Sequence, residues 1–200
     1  MSPKIVDKQA RREEIMRGAI RVVASRGGHN LKMIDVARAT GVGKGTLYEY
    51  FPSKNDLIIG CFELLISRYE AYTRQAIKSD LRPDEHLRQF IKASLDFCKA
   101  EKELMEVMMD FLTLGIPRKE GEPLLPGVVV GYEQVINELA DVMRRGTAEG
   151  LFRPVDPQIA AQSLFALLDG LYFQAAMGLI NLEEESLPKK LSQIFLAGVL

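Results

Sequence analysis

The sequence is poor in the residues that build covalent or metal chemistry, with two cysteines, Cys61 and Cys98, and two histidines, His29 and His86. Two thiols without a spaced framework exclude the disulfide scaffold of a small secreted domain. Both fall in helical patterns, where reduced core residues are expected. The histidines are isolated and lack metal-ligand spacing. No nucleophile stands with a base and an orienting acid. No enzyme, no metal and no cofactor are therefore expected. No apolar stretch is both long enough and free enough of charge to cross a bilayer, and residues 1 to 8 hold no apolar block like that of a secretory signal. The expected location is the cytoplasm, with no membrane partner. There is no internal repeat, no low-complexity tract and no alternating run long enough for a sheet.

What is present is helical periodicity along 200 residues, with 47% apolar and 26% charged side chains, enough for a substantial core. The expected fold class is all-α. Charge is unevenly divided. Residues 1 to 60 hold 11 lysines and arginines against 6 acids, a balance of +5; the remainder holds 15 against 21, a balance of −6. The N-terminal end is the one to place against an anion.

A first helix begins after Asp7, carries Ile15, Ala19, Val22 and Val23 on one face, and is ended by Gly27 and Gly28. Ser53 and Asp56 form a capping box for a long helix through Leu57, Cys61, Leu64 and Leu65 to about Ser79. Pro83 suits the first turn of the next, on which Leu87, Phe90, Ile91, Ser94, Leu95 and Cys98 share a face. Leu104, Met105, Met108, Phe111 and Leu112 make another apolar segment. The three prolines and three glycines of residues 115 to 127 read as a mobile loop. Further helices are expected over 128 to 147, from Asp156 and Pro157 to about Gly178, and from Ser186 onward with Leu191, Ile194 and Phe195 on one side.

Residues 33 to 51, MIDVARATGVGKGTLYEYF, read as two short helices joined by a tight turn. Val36 and Ala37 face inward, and the small Ala37 lets the second helix approach. Gly41 supplies the left-handed turn conformation, and Val42 plugs the angle. Leu47, Phe51 and part of Tyr50 anchor the second helix, leaving Lys44, Thr46, Tyr48 and Glu49 to solvent or a ligand. A helix this short is not stable alone, so its use lies in being held at a fixed angle by its neighbours. A DNA major groove accepts such a helix. Gly43 and Gly45 permit close approach, Lys44 adds charge, Thr46 and Tyr48 reach bases or phosphates, and Lys54 grips the backbone. Lys4, Lys8, Arg11 and Arg12 are equally open to solvation and to DNA contact.

The run from residue 15 to residue 57, especially DVARATGVGKGTLYEYFPSKNDL, resembles the DNA-binding domain of the tetracycline-repressor (TetR) family. The spacing of Ala37, Gly41, Val42, Gly45, Leu47, Tyr48, Tyr50, Phe51 and Lys54 agrees with the family pattern. The resemblance implies a three-helix DNA-binding domain over residues 1–52 and a larger effector-binding and dimerisation domain over 53–200. It places Lys44, Gly45, Thr46, Tyr48, Tyr50 and Lys54 at or beside double-stranded operator DNA. Two positions depart from the pattern. Lys32 stands where a Ser or Thr cap is usual, gaining a possible phosphate contact, and Gly43 replaces a small hydroxyl residue.

In the C-terminal part, Phe90, Phe97, Met105, Met108, Met109, Phe111, Leu112, Phe165, Leu168 and Tyr172 could line a cavity for a largely apolar small-molecule effector. Such a stripe at helical spacing is more often plain core; the family resemblance favours the pocket. Residues 163 to 178, with small Gly170, Ala175, Ala176 and Gly178, resemble the family's first dimer helix. The last helix is its expected partner in a homodimer. Asp169 sits among apolar residues, where an interfacial hydrogen bond is the favoured role. The expectation is a ligand-responsive repressor released from a near-palindromic operator. The rival is a helical carrier or enzyme whose N-terminal hairpin merely packs.

Overall fold

Helices account for all the regular structure in the residues that the computed structural model describes, 7–77, 80–113 and 126–199. α1 (Lys8–Arg26) starts where the Asp7 carboxylate accepts the N–H groups of Gln9 and Ala10 at 2.9 and 3.2 Å, and stops at Gly27, with φ 78°. A short 3-10 turn (Gly28–Asn30) leads to α2 (Met33–Thr40) and α3 (Lys44–Tyr50). At α4 (Lys54–Ala76), the Asp56 N–H donates to Ser53 Oγ at 3.1 Å and the hydroxyl donates back to the carboxylate at 2.7 Å. This helix stops short of Ser79, which lies outside the described residues.

Pro83 opens α5 (Pro83–Ala100), and α6 (Lys102–Thr113) follows almost directly. Most of the loop expected over 115 to 127 lies outside the described residues, but its last two residues belong to α7 (Pro126–Ala148), which begins ahead of Val128 because proline fits a first helical turn. α8 (Pro157–Ala176) is capped by Asp156, whose carboxylate accepts from Gln158 and Ile159 at 2.9 and 3.0 Å. α9 (Leu187–Val199) ends the described chain.

The chain forms two compact units, one from Met1–Ile66 with Glu103–Val129, the other from Ser67–Lys102 with Val130–Leu200. α6 thus shares a unit with α1, α2 and α3. In this first unit Ile15, Ala19, Val36, Leu47, Phe51, Leu57, Ile58 and Cys61 form one core, which Leu104 and Val107 of α6 complete. Complete burial of a side chain such as Leu47 or Phe51 stabilises the unit by roughly 1.5–3 kcal/mol each. Gly18 lets α2 approach α1, since a Cβ there would lie 2.1 Å from Thr40 Cγ2. In the second unit Leu87, Ile91, Phe97, Leu139, Met143 and Leu164 are buried. The Tyr69 ring meets Phe97, Phe165 and Phe90 edge-on at 5.3, 5.9 and 6.3 Å, and its hydroxyl shares a 2.8 Å hydrogen bond with Ser94.

Candidate nucleic-acid interface

The turn between α2 and α3 follows from one residue's backbone. Gly41 adopts φ 66° and ψ 16°, a left-handed conformation that would strain a residue with a Cβ. The Val42 N–H then donates back to the Ala37 carbonyl at 3.1 Å, closing the end of α2. Ala37 and Val42 are buried, and α3 is fixed from beneath by Leu47 and Phe51, which are 0% and 1% exposed. Tyr50 packs half-buried against the same core.

This anchoring leaves one side of α3 in solvent. Gly43, Lys44, Gly45, Thr46, Tyr48 and Glu49 are exposed, with Tyr48 at 40%, and Lys54 is half-buried at the start of α4. Lys32 is exposed at the opposite end of α2, where its side chain makes no capping bond; Asp35 supplies the negative charge of that first turn. Ile34, 47% exposed on α2, was not anticipated. No sequence signal marks it, because an isoleucine beside the buried Met33 reads as core.

The cations near this tip divide into engaged and available groups. Arg12 lies 4.9 Å from the centre of the Phe51 ring and 3.4 Å from Glu63, so it serves the packing of α1 on α4. Arg11 pairs with Glu14, while Arg26 and Arg38 reach Asp35 at 3.4 and 3.3 Å. Among the described residues Lys32, Lys44 and Lys54 have no ion-pair partner. Their charge is open to phosphate. Lys8 is exposed, and Lys4 lies outside the described residues.

The expected effector-pocket residues are distributed over both units. Met105 and Met109 are half-buried on α6 in the first unit, and the side chains of Met108, Phe111 and Leu112 lie outside the described residues. In the second unit Phe97 and Phe165 are buried and pack against Tyr69. Leu168 and Tyr172 border a space of about 10 Å³, no more than a water needs. Phe90 borders a larger cavity, of about 290 Å³, shared by α4, α5 and α7. Asp169 is exposed as a residue, with its carboxyl turned toward the Tyr132 hydroxyl; burial pushes its pKa up to about 6, and the hydrogen bond from Tyr132 partly offsets this.

Residues 15–61 match the tetR family of bacterial regulatory proteins, and residues 83–195 match the C-terminal part of BetI-type transcriptional repressors. The chain is 23% identical over 192 residues to the HTH-type transcriptional regulator PksA of Bacillus subtilis, covering 96% of this chain and 91% of PksA. A TetR transcription regulator from Haloarcula marismortui superposes with a TM-score of 0.80 at 22% identity, over 96% of this chain and 99% of that one. FadR from Bacillus subtilis, solved in complex with stearoyl-CoA, superposes with a TM-score of 0.77 at 21% identity, over 94% and 99%. Since the C-terminal match alone spans more than half of the 200 residues and the N-terminal match coincides with the exposed helix-turn-helix, the chain belongs to the tetR family, whose members are DNA-binding transcriptional regulators and not enzymes.

Proposed function

We propose that the chain is a cytoplasmic, homodimeric repressor that releases a near-palindromic operator when a small, largely apolar effector binds its C-terminal domain. The observation that carries this reading is the contrast on α3 between a wholly buried anchor, Leu47 and Phe51, and an exposed tip bearing Lys44, Thr46 and Tyr48. Lys32, Gly43, Lys44, Gly45, Thr46, Tyr48 and Tyr50, within a reading head of residues 1–52, form the DNA-facing set together with Lys54 at the start of α4. Residues 53–200 hold the effector and the dimer contacts, with α4 as the lever between them. Two heads reading successive major grooves need half-sites about 34 Å apart, or a multiple of that.

Dimerisation through α8 and α9 is supported by large apolar side chains left open on the single chain. Phe173 and Met177 on and just after α8 are 47% and 55% exposed, and Ile194 on α9 is 70% exposed. The stearoyl-CoA held by FadR supports a ligand-binding role for the body. Effector and operator oppose one another only if the effector binds better to the conformation whose heads are wrongly spaced.

Selection of bound fragments from the source genome tests the reading, followed by titration of the winning fragment at several salt concentrations. A specific site with steeply salt-dependent affinity is expected. Weak association indifferent to sequence would instead favour a helical carrier whose N-terminal hairpin only packs.

A further inference from the structure

We propose that Glu49 of α3 is a base-reading residue, its carboxylate accepting a hydrogen bond from the N4 amino group of a cytosine in the major groove. This rests on the operator-binding reading above and goes beyond it, by assigning one residue to one base.

Helix geometry places Glu49 at the middle of the open side of α3. An α-helix turns by about 100° per residue, so Glu49 and Gly45, two residues after and two before Leu47, both lie roughly 160° around the axis from it. Leu47 is wholly buried, and these two residues therefore make the stripe that points most directly away from the core. Thr46 and Tyr48 flank it. Nothing inside the chain accounts for Gly45. Its φ is not positive, and a Cβ built on it would meet nothing within 4 Å beyond its own stretch of helix. Glycine there weakens the helix and gains nothing from internal packing, so the bare backbone gives room to a surface outside the chain. Glu49 follows on the same stripe, one turn further on.

Charge then restricts what that surface holds opposite Glu49. Residues 32 to 54 contain two acids, Asp35 and Glu49. Asp35 is 14% exposed and is met by Arg26 and Arg38 at 3.4 and 3.3 Å. Glu49 is exposed, and among the described residues it has neither an ion-pair nor a hydrogen-bond partner. The residues one turn away, Gly45, Thr46, Pro52 and Ser53, supply no cation. A carboxylate left uncompensated on the face that meets DNA is repelled by phosphate whatever the sequence, so it weakens every complex except one in which a base donates to it. In the major groove only the amino groups of cytosine and adenine donate. Adenine sets its N7 acceptor beside that amino group, where it repels a carboxylate, and cytosine does not. An acceptor-only side chain therefore selects cytosine.

The test selects duplexes from a randomised pool with full-length wild type, Glu49→Ala and Glu49→Gln, then measures affinities by fluorescence anisotropy. Melting curves check the fold, which replacement of an exposed side chain leaves intact. The wild-type site should hold a C·G pair in each half whose exchange for T·A weakens binding about tenfold. In both variants the same exchange should cost about threefold at most, while preferences at other positions persist. On random duplex both variants should bind about twofold more tightly than wild type, because a negative charge has gone; a merely structural role for Glu49 would weaken binding there. A C·G preference kept in both variants, a lost preference that falls on any other pair, or random-duplex binding that is not strengthened overturns the proposal. Selection of no site by the wild type sinks the operator reading and this proposal with it; a wild-type site that both variants read identically sinks the role of Glu49 alone.

Discussion

The backbone N–H of Gly28 donates to the carboxylate of Asp110 over 3.1 Å, tying the turn after α1 to α6 across 82 residues of sequence. The approach is close, since a Cβ on Gly28 would lie 3.3 Å from that of Asp110. With Leu104 and Val107 in the same core, α6 is a structural member of the unit that holds the helix-turn-helix. Asp110→Ala removes the acceptor and is expected to lower stability by about 1 kcal/mol, with Asp110→Asn losing less because an amide oxygen still accepts. Urea midpoints measure this. Identical midpoints for wild type and Asp110→Ala would mean that the bond contributes nothing.

Lys44 and Tyr48 share α3 but are expected to act differently. If Lys44 meets phosphate, Lys44→Ala weakens all DNA roughly alike and lowers the magnitude of the salt-dependence slope by about 1 per head. Loss of one base contact in Tyr48→Phe or Tyr48→Ala costs about 1–3 kcal/mol on the selected operator and far less on random duplex. Fluorescence anisotropy on both duplexes separates the two outcomes. Neither substitution should change the melting of the head, because neither side chain is part of its core.

The head was legible because its rules are local. Asp7 and Ser53 cap within three residues, Gly41 needs one unusual φ, and Leu47 and Phe51 lie one helical turn apart on one face. Long-range relations leave no such mark. Asp110 reads as an ordinary polar residue of an amphipathic helix, since its partner lies far back in the chain. The effector stripe is ambiguous for another reason: Phe97 and Phe165, which pack against Tyr69, would show the same helical spacing whether or not they also lined a void. His86 follows Pro83, Asp84 and Glu85 in a first turn that reads as solvated, although its ring reaches a cavity wall.

The open apolar side chains of α8 and α9 lead to a prediction about assembly. Phe173→Glu, or Ile194→Glu, places a charge where a second copy would bury an apolar group, so the dimer should give way to monomer at micromolar concentration. Light scattering reads the mass directly. Operator affinity should fall at least tenfold in the same variants, because one head alone loses the second set of contacts, while the melting of the head stays unchanged. A dimer that persists in both variants would place the interface elsewhere.

Asp169 gives the fold a pH dependence whose sign is fixed by the direction of its shift. Burial pushes its pKa up to about 6, and the hydrogen bond from Tyr132 pulls against this. An unfolded aspartate titrates near ~3.9. Between those values the folded chain retains a proton that the unfolded chain has released, so stability falls as pH rises through this window and is level above it. Asp169→Asn cannot ionise. Its stability relative to wild type should therefore rise from about pH 4 to pH 6 and then stay constant, by on the order of 1 kcal/mol, less than the full shift implies because solvent reaches this exposed residue and screens it. Tyr132→Phe removes the donor that favours the carboxylate, so it should steepen the wild-type fall. Denaturant melts at matched protein concentration across pH 4 to 8 measure both; a variant that loses relative stability as pH rises, or a Tyr132→Phe protein with a shallower slope, would refute the assignment.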